Sequence, residues 1–464
     1  WPEISHLAKT MANYGKVLIE RLPLYPRFAL NSKKWTDKEI TSALLRSMDQ
    51  QGYAREDEWA PGQSTFPPVH KKSYLPLKMK GEKNKIDQIL ERINGSGEIN
   101  EEQIIILLNS RGLEFERVCE FANKLRKKVS GEEVTYAVNR NINYTNVCYF
   151  RCGFCAFSKG KMSENLRGKP YNLELDEIVS RAREAWDRGA SEVCLQGGIH
   201  PSYTGETYLQ ICKAIHEAVP RIHIHAFSPL EVSQGASTLG LSVPEFLEKL
   251  RDSGLGTLPG TAAEVLDDEV RNIICPDKLS TQEWLSVMRD AHEVGFRTTA
   301  TIMFGHLEAP YHVARHLLRI RDLQKETGGF TEFVPLPFVH MEAPIYLKGK
   351  SRMGPTFREA VLIHAVARIV LNPFIQNIQT SWVKMGPEGV KACLDAGAND
   401  LGGTLMNESI TRAAGTVHGQ EMLPERMEAL IRQTGRIPRQ RDTLYRIPDP
   451  IQNSKSYGNQ LINQ

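Results

Sequence analysis

Short β-rich runs alternate with amphipathic helical stretches from residue 135 to residue 405, and this alternation limits the possible folds more than any other feature. Parallel strands need long crossover connections, so such a pattern is typical of a parallel sheet covered by helices. Eight runs predict an α/β fold of the (β/α)8 TIM-barrel type. A doubly wound open sheet is the alternative, disfavoured because no GxGxxG motif opens the first helix. The runs are 135–147, 191–198, 221–227, 254–260, 297–305, 330–338, 374–382 and 399–405.

The remaining segments predict a helical extension before the barrel. We expect residues 1–69 to form a small helical segment and residues 70–99 to form a lysine-rich linker. A phosphate-binding stripe is the less favoured interpretation of that linker. In the helical cap of residues 100–131, Asn100 and Gln103 match a capping box, and Gly131 ends the last helix. The barrel occupies residues 132–445, and the polar residues 446–464 predict a disordered tail.

Composition excludes several classes of protein. The 464 residues carry 58 Lys and Arg against 55 Asp and Glu, and this near balance argues against a dedicated nucleic-acid binder. Because there is neither a long apolar run nor an apolar signal core, we expect no membrane partner and no secretion. Eight cysteines are too sparse for a disulfide scaffold. A reducing compartment is expected, either the cytoplasm or an organellar stroma.

Three of these cysteines, Cys148, Cys152 and Cys155, lie within eight residues directly after the first barrel run. Three thiolates on so short a loop can surround one cubic iron–sulfur cluster and leave its fourth iron open to a small molecule. Structural zinc is the alternative, but it requires four closed ligands and no fourth cysteine lies nearby. Chance clustering is the remaining possibility. The favoured hypothesis is an open [4Fe-4S] cluster.

The spacing of the triplet, with Phe154 before its last cysteine, resembles that of the radical S-adenosylmethionine (SAM) enzymes. The resemblance implies that the open iron binds SAM and that one electron splits it to methionine and a 5′-deoxyadenosyl radical. It also implies that the glycine-rich segment Gln196, Gly197 and Gly198 meets the methionine end, although a plain β-to-α turn is the alternative. Ser228 and Glu264 follow later strands and are candidates for the ribose hydroxyls. A charge that stabilises a helix dipole is the competing role for Glu264.

Longer motifs resemble the CofH half of deazaflavin (FO) synthase over residues 85–445. They include NYTNVCYFRCGFCAFSKGK, EVCLQGGIHP, LPGTAAEVLDDEVR and AGANDLGGTLMNESI. Residues 1–69 resemble the end of the CofG half, so the chain resembles the C-terminal part of a fused enzyme. The resemblance implies that L-tyrosine is cleaved between Cα and Cβ, and that its 4-hydroxybenzyl group is added to 5-amino-6-(D-ribitylamino)uracil. A CofG-type module then closes the deazaflavin ring, and a flavodoxin or ferredoxin supplies the electron.

Polar residues at the predicted strand ends are candidates for the substrate site. Histidines there can carry protons near neutral pH, although an isolated histidine is more often a structural donor. The candidates for proton transfer are His200, His306 and His340. The candidates for substrate binding are Glu342, Asn399, Asp400, Asn407 and Glu408. His223 and His225 share one face of a strand, and we expect them to line the core without a metal.

Two other functions remain open at this point. A menaquinone-pathway radical enzyme, of the aminofutalosine synthase or futalosine cyclase type, shares the glycine turn but forms a different product. A non-catalytic iron–sulfur or zinc scaffold would bind metal without cleaving SAM.

Overall fold

The computed structural model describes Leu7, Thr10, Met11 and residues 17–68, 85–95, 97–159 and 169–455. Two parallel sheets form the centre. The six-stranded sheet has the order β2-β3-β4-β5-β6-β7, and the three-stranded sheet has the order β8-β1-β9. The strands are β1 Glu133–Ala137, β2 Asn139–Asn143, β3 Glu192–Gln196, β4 His223–His225, β5 Thr257–Leu258, β6 Arg297–Phe304, β7 Phe330–Pro337, β8 Asp400–Gly403 and β9 Ile437–Arg441.

Backbone hydrogen bonds join the two sheets into a ring. The Gln379 amide donates to the Phe333 carbonyl of β7 at 3.0 Å, and the Thr380 amide donates to the Asp400 carbonyl of β8 at 2.9 Å. Past β8, the Met406 amide donates to the Asn139 carbonyl of β2 at 3.2 Å. The predicted barrel architecture is therefore confirmed, and the carboxyl ends of its strands point the same way because all the pairings between strands are parallel.

The seventh predicted run, residues 374–382, forms only single bridges at Ile378 and Gln379 instead of a regular strand. Side chains occupy the backbone groups that a ladder would use. The side-chain oxygen of Asn399 accepts from the Ile378 amide at 2.9 Å, and the Arg368 guanidinium donates to the Gln376 carbonyl at 2.7 Å. Both partners, Asn399 and Arg368, lie outside the run, so the residues of the run by themselves do not reveal this pattern.

Helices cover the sheets, and one of them, Phe357–Leu371, is buried at every residue. The barrel helices are Leu175–Asp187, Gly205–Ala218, Pro229–Thr238, Val243–Asp252, Asp268–Ile274, Thr281–Val294, Pro310–Thr327, Pro344–Leu347, Phe357–Leu371, Trp382–Asp395, Ile410–Ala413, Pro424–Arg432 and Pro450–Ser454. Before the barrel come Pro26–Leu30, the 3-10 turn Ser32–Lys34, Lys38–Ser47, Lys85–Asn94, Glu101–Leu108 and Leu113–Ser130. The predicted capping box of Asn100 and Gln103 is present. None of the helices in the described part of the chain is long and apolar enough to cross a membrane.

The N-terminal segment packs directly on the barrel. Trp59 is buried and meets the ring of Phe357 edge to face at 5.3 Å. The Gln50 amide donates to the carboxylate of Glu359 at 2.6 Å, and the Gly62 amide donates to the Lys384 carbonyl at 2.7 Å. Residues 48–62 are thus part of the same folded body as the barrel, although the sequence places them in a separate segment.

Two predicted boundaries shift. The linker expected at residues 70–99 includes the helix Lys85–Asn94, whose buried face consists of Ile86, Ile89 and Leu90, while residues 69–84 lie outside the described residues. The tail expected from residue 446 includes the helix Pro450–Ser454. There the Gln452 amide group donates to the Trp186 and Ala190 carbonyls, at 2.7 and 2.9 Å, and ties the helix down. Residues 456–464 also lie outside the described residues.

We predict that Trp59→Ala destabilises the whole barrel domain by about 3–5 kcal/mol, because truncating a buried tryptophan leaves a large cavity. Trp35→Ala is the matched control, since Trp35 is 64% exposed, and it should cost about 1 kcal/mol or less. Denaturant unfolding followed by circular dichroism measures both. Equal effects of the two variants would contradict the integration of the N-terminal segment.

Candidate functional site

A cavity of about 410 Å³ lies inside the barrel, at the carboxyl ends of its strands. Residues from β2, β3, β4, β6 and β7 line it, together with residues that follow β5 and residues in and after β8 and β9. Apolar side chains line part of it, namely Phe157, Leu230, Pro259, Met303, Val334, Leu336, Val383 and Leu405. The other lining residues are mostly polar or charged, so the cavity combines water-excluding walls with many polar groups, as a site for polar small molecules requires.

The three cysteines of the triplet all line one end of this cavity, and all are free thiols. The Ile199 amide donates to the sulfur of Cys148 at 3.3 Å, and the Ser158 amide donates to that of Cys155 at 3.3 Å. Burial raises the pKa of the Cys148 thiol and raises that of Cys152 to about 12, while the ammonium group of Lys278 opposes both shifts. Amide donors and a nearby cation suit sulfurs that carry negative charge as metal ligands.

Backbone contacts fix the cysteine loop on two sides. The Gly153 amide donates to the Ile274 carbonyl, and the Gly153 carbonyl accepts from the Ile345 amide, both at 2.7 Å. On the third side, β2 and β3 pair in register up to Asn143 opposite Gln196, which brings the glycine turn against the loop.

Gly197 and Gly198 are needed for this close packing. A Cβ at Gly198 would lie 2.3 Å from the Val147 carbonyl oxygen and 2.9 Å from the Cβ of Cys148. A Cβ at Gly197 would lie 2.3 Å from the ring of Tyr144. The sequence predicts that these glycines let the backbone approach a ligand. The structure shows instead that they leave room for the protein's own cysteine loop and for a tyrosine ring. Both still line the cavity.

Glu264 forms an ion pair beside the triplet. Its carboxylate lies 2.9 Å from the ammonium group of Lys278, which in turn lies 5.2 Å from the ring centroid of Phe154. Although burial opposes the charge, Glu264 holds the pKa of Lys278 above its usual value. Glu264 has a φ of +47° and precedes the helix Asp268–Ile274, so the helix-dipole alternative does not describe it.

Ser228 and the buried carboxylate of Glu231 form a second polar group on the cavity wall. Ser228 caps the helix Pro229–Thr238, and its hydroxyl donates to Glu231 at 2.5 Å. Glu231 also accepts from the hydroxyl of Tyr144, and burial raises the pKa of its carboxyl group. Glu231 is not among the residues that the sequence motifs predict, although the Ser-x-x-Glu capping box is a local signal for it.

Residues from β3, β7 and β9 form another side of the cavity. Arg441 lies 2.6 Å from Asp400 and 3.3 Å from Glu332, and burial raises the pKa of Glu332 to about 7. Glu192 accepts from Thr443 at 2.6 Å and from Asn139 at 3.0 Å. These charged groups satisfy one another.

His225 lies beside them and, like His223, hydrogen-bonds Thr257, as expected for core histidines.

Two polar groups on the wall have no such partner. The side chain of Lys384 lines the cavity, and it has no hydrogen bond or ion pair with residues in the described part of the chain. Burial lowers its pKa to about 8, against the attraction of Glu408. The side-chain oxygen of Asn141 is also buried and unpaired among those residues. Neither was predicted, since neither lies in a recognisable motif, and both are available to a ligand.

The three predicted catalytic histidines do not line the cavity. His200 hydrogen-bonds Ser202 at 2.7 Å, and the fully buried His306 lies 3.3 Å from Glu308. His340 packs on Tyr346, and burial lowers its pKa to about 4. All three histidines follow predicted strands, but the loops direct their side chains into contacts with nearby residues instead of into the cavity. The geometry does not support catalytic roles for them.

Of the five predicted substrate-binding residues, only Glu408 lines the cavity. Its carboxylate accepts from the Thr411 amide at 2.7 Å. Asn399 and Asp400 are buried in hydrogen bonds with Arg368 and Arg441, so their roles are structural. Glu342 and the exposed Asn407 lie outside the cavity.

In contrast, the predicted cofactor-binding residues Phe154, Gln196, Ser228 and Glu264 all line the cavity.

Solved structures show a similar fold. Methylornithine synthase (PylB) aligns with a TM-score of 0.59 at 18% identity, covering 75% of this chain and 97% of that one. The FeFe-hydrogenase maturase HydG from Carboxydothermus hydrogenoformans aligns with a TM-score of 0.58 at 16% identity, covering 82% and 89%. At these identities the likeness concerns the fold alone.

Sequence comparisons are more specific. The Radical SAM superfamily model matches residues 142–318, and the CofH/MqnC C-terminal region model matches residues 327–454. The FO synthase of Streptomyces coelicolor is 40% identical over 96% of this chain, which spans 56% of that relative's length. The 5-amino-6-(D-ribitylamino)uracil–L-tyrosine 4-hydroxyphenyl transferase of Methanocaldococcus jannaschii is 47% identical, over 75% of this chain and 97% of that protein. The chain therefore belongs to the radical SAM superfamily and, within it, to the CofH family.

Proposed function

We propose that the chain is a radical SAM transferase that cleaves L-tyrosine and adds its 4-hydroxybenzyl group to 5-amino-6-(D-ribitylamino)uracil. The observation that carries the proposal is the 47% identity to a transferase of that name, nearly all of which this chain covers. The cysteine triplet at the end of an enclosed cavity supports it. The relatives named above favour this activity over the menaquinone-type reaction and over a non-catalytic scaffold.

Cys148, Cys152 and Cys155 would hold a [4Fe-4S] cluster. They fit the group because three free sulfurs face one cavity, two of them accept amide hydrogen bonds, and the cation of Lys278 lies near. When bound, the cluster supplies the electron that splits SAM into methionine and a 5′-deoxyadenosyl radical. The protein's own contribution is to hold the three sulfurs rigidly and to surround the reacting groups with apolar walls.

The wall next to the triplet is suited to SAM. Gln196 and the backbone of Gly197 and Gly198 lie beside Cys148, where the methionine end would be held. Asn141 adds a buried oxygen with no partner among the described residues, which can accept from an amino group or a hydroxyl. Ser228 and Glu264 remain candidates for the ribose hydroxyls, but both already make hydrogen bonds within the protein.

Lys384 is suited to an anionic group of the substrate. It is the cavity-lining cation that lacks a carboxylate partner within bonding distance among the described residues, since Lys278 and Arg441 are paired with Glu264 and Asp400. Lys384 is half-buried and its ammonium group is unpaired among the described residues, so a bound anion would replace the hydration that it has partly lost. We assign the carboxylate of L-tyrosine to it, and this carboxylate must be held while the Cα–Cβ bond breaks.

Two partners and a cellular compartment complete the proposal. A CofG-type module, fused or separate, would close the deazaflavin ring, consistent with the chain's coverage of about half of the FO synthase relatives. A flavodoxin or ferredoxin would deliver the electron. A reducing compartment, either the cytoplasm or an organellar stroma, would protect the exposed cluster.

Replacing any of Cys148, Cys152 or Cys155 by Ala should abolish both iron loading and 5′-deoxyadenosine formation, because only three protein ligands are available. Iron analysis and mass spectrometry after anaerobic reconstitution measure the two effects. Cys194→Ala is the matched control, since Cys194 lines the same cavity but lies outside the triplet. A triplet variant that keeps full cluster absorbance and turnover would contradict the assignment.

Lys384→Met should raise the KM for L-tyrosine about tenfold or more, since a charge-assisted hydrogen bond contributes about 1.5–3 kcal/mol. The pKa near 8 means that the ammonium form prevails below that pH, so the wild-type KM should rise as pH increases through 8. The variant should lack this dependence. Lys391→Met is the control, because Lys391 is on the same helix but pairs with Glu388 outside the cavity. An unchanged KM for L-tyrosine in the Lys384 variant would refute the role.

This chain alone should convert L-tyrosine and 5-amino-6-(D-ribitylamino)uracil into the hydroxybenzyl adduct and stop there, because its 464 residues hold one cysteine triplet. Adding a separate CofG-type protein should then give the fluorescent deazaflavin. Liquid chromatography with mass spectrometry and fluorescence detection follows both products. If the chain makes the chromophore unaided, the single-module interpretation fails. If it cleaves SAM without forming the adduct, the menaquinone-type alternative gains support.

A further inference from the structure

A lysine-rich groove lies on the outer side of the cysteine loop, away from the cavity. Its volume is about 550 Å³, and Lys33, Lys38, Lys348 and Lys350 line it together with Gly153 and Ile273. All four lysines are exposed, and none makes an ion pair with another residue of the described ranges. The acidic residues of the neighbouring helix are Asp37, which caps that helix through the Ile40 amide, and the exposed Glu39. The groove therefore has a positively charged rim.

An apolar residue and a rigid frame accompany this charge. Ile273 is 54% exposed within the groove. The Arg46 guanidinium lies 4.7 Å above the ring of Tyr346 and connects the two walls. A Cβ at Gly349, whose φ is +70°, would lie 2.5 Å from the hydroxyl of Ser42, so the walls pack closely. An apolar centre with a charged rim on fixed backbone is typical of a surface that binds another protein.

The groove reaches the cysteine loop itself. Gly153 lines it, while Cys152, Phe154 and Cys155 line the cavity on the other face of the same loop. Since consecutive Cα atoms are about 3.8 Å apart, the Cα of Gly153 lies within about 8 Å of the Cα atoms of Cys152 and Cys155. A protein seated in the groove would therefore contact the chain between two of the proposed cluster ligands.

We propose that this groove is the docking site for a small acidic one-electron carrier protein, a conclusion that rests on the radical SAM function proposed above. The carrier would lose one electron, and the cluster held by the triplet would gain it, with no proton or other group transferred. Acidic side chains on the carrier would pair with the four lysines, and an apolar contact would cover Ile273. Complementary charge speeds the encounter of two proteins and orients them.

Other occupants fit less well. A nucleic acid would need an extended basic surface, whereas the chain as a whole carries a net charge of only +3.

Lys33 and Lys38 belong to the segment that resembles the end of a CofG module, so that segment would itself form one wall of the docking groove. This gives the N-terminal segment a role in delivering electrons to the barrel in addition to its role in packing.

Charge reversal on each wall tests the proposal. The variants are Lys348→Glu with Lys350→Glu on one wall and Lys33→Glu with Lys38→Glu on the other. The matched control is Lys124→Glu with Lys128→Glu, two exposed lysines on the cap helix Leu113–Ser130 that form no ion pair with other described residues. Isothermal titration with a bacterial flavodoxin at low ionic strength gives Kd, and 5′-deoxyadenosine formation is measured with flavodoxin and with dithionite.

Each groove pair should weaken flavodoxin binding about tenfold or more and slow flavodoxin-driven turnover, because like charges then face each other. Dithionite-driven turnover should stay within about twofold of wild type, since a small reductant needs no dock. The effect should shrink as salt is added. The control pair should change neither Kd nor turnover.

Unchanged flavodoxin affinity in both groove pairs overturns the proposal, as does an equal loss in the control pair. Weakened binding of a separate CofG-type protein, with flavodoxin affinity intact, assigns the groove to that module instead. Failure of the underlying function gives a different result: the wild-type protein would form no 5′-deoxyadenosine even with dithionite. Flavodoxin binding is measured independently of that activity.

Discussion

The clamping of the cysteine loop by its neighbours is the constraint on which the rest of the site depends. Backbone hydrogen bonds from Ile345 and to Ile274 hold Gly153, and Gly198 packs against the carbonyl of Val147 where no larger residue fits. These contacts orient one face of the loop toward the cavity and the other toward the surface. A mobile loop would not hold three sulfurs around a single centre, so the chemistry proposed for this site requires a rigid loop.

Pairing among buried charges decides which cavity groups remain for ligands. Glu264 is held by Lys278, and Arg441 binds Asp400, so these charges are largely satisfied within the protein. Buried ions without a partner are costly, which explains why most of them occur in such pairs. Lys384 is the exception among the cavity-lining cations of the described ranges. An unsatisfied group that faces a cavity is therefore a better guide to ligand binding than a polar residue type alone.

The N-terminal segment shows that a boundary inferred from sequence resemblance need not be a boundary of the folded structure. Residues 1–69 resemble the end of another module, yet Trp59 is buried against Phe357 and the Gln50 amide binds Glu359 of the barrel. The packing of this segment on the barrel buries apolar surface and so stabilises both. The same segment contributes Lys33 and Lys38 to the surface groove, so its packing also shapes what lies next to the cysteine loop.

The sequence by itself determined the alternating strands and helices, the capping box at Asn100 and the triplet of cysteines. Each of these depends only on the spacing of residues that are close together in the chain. The sequence motifs also indicated membership of the radical SAM superfamily and of the CofH family. Only the tertiary structure decided that His306 is buried in local packing, that Asn399 replaces a strand ladder, and that Lys384 faces the cavity. The direction of a side chain and the partner that it meets depend on how helices, strands and loops pack in three dimensions, and no local pattern encodes that packing.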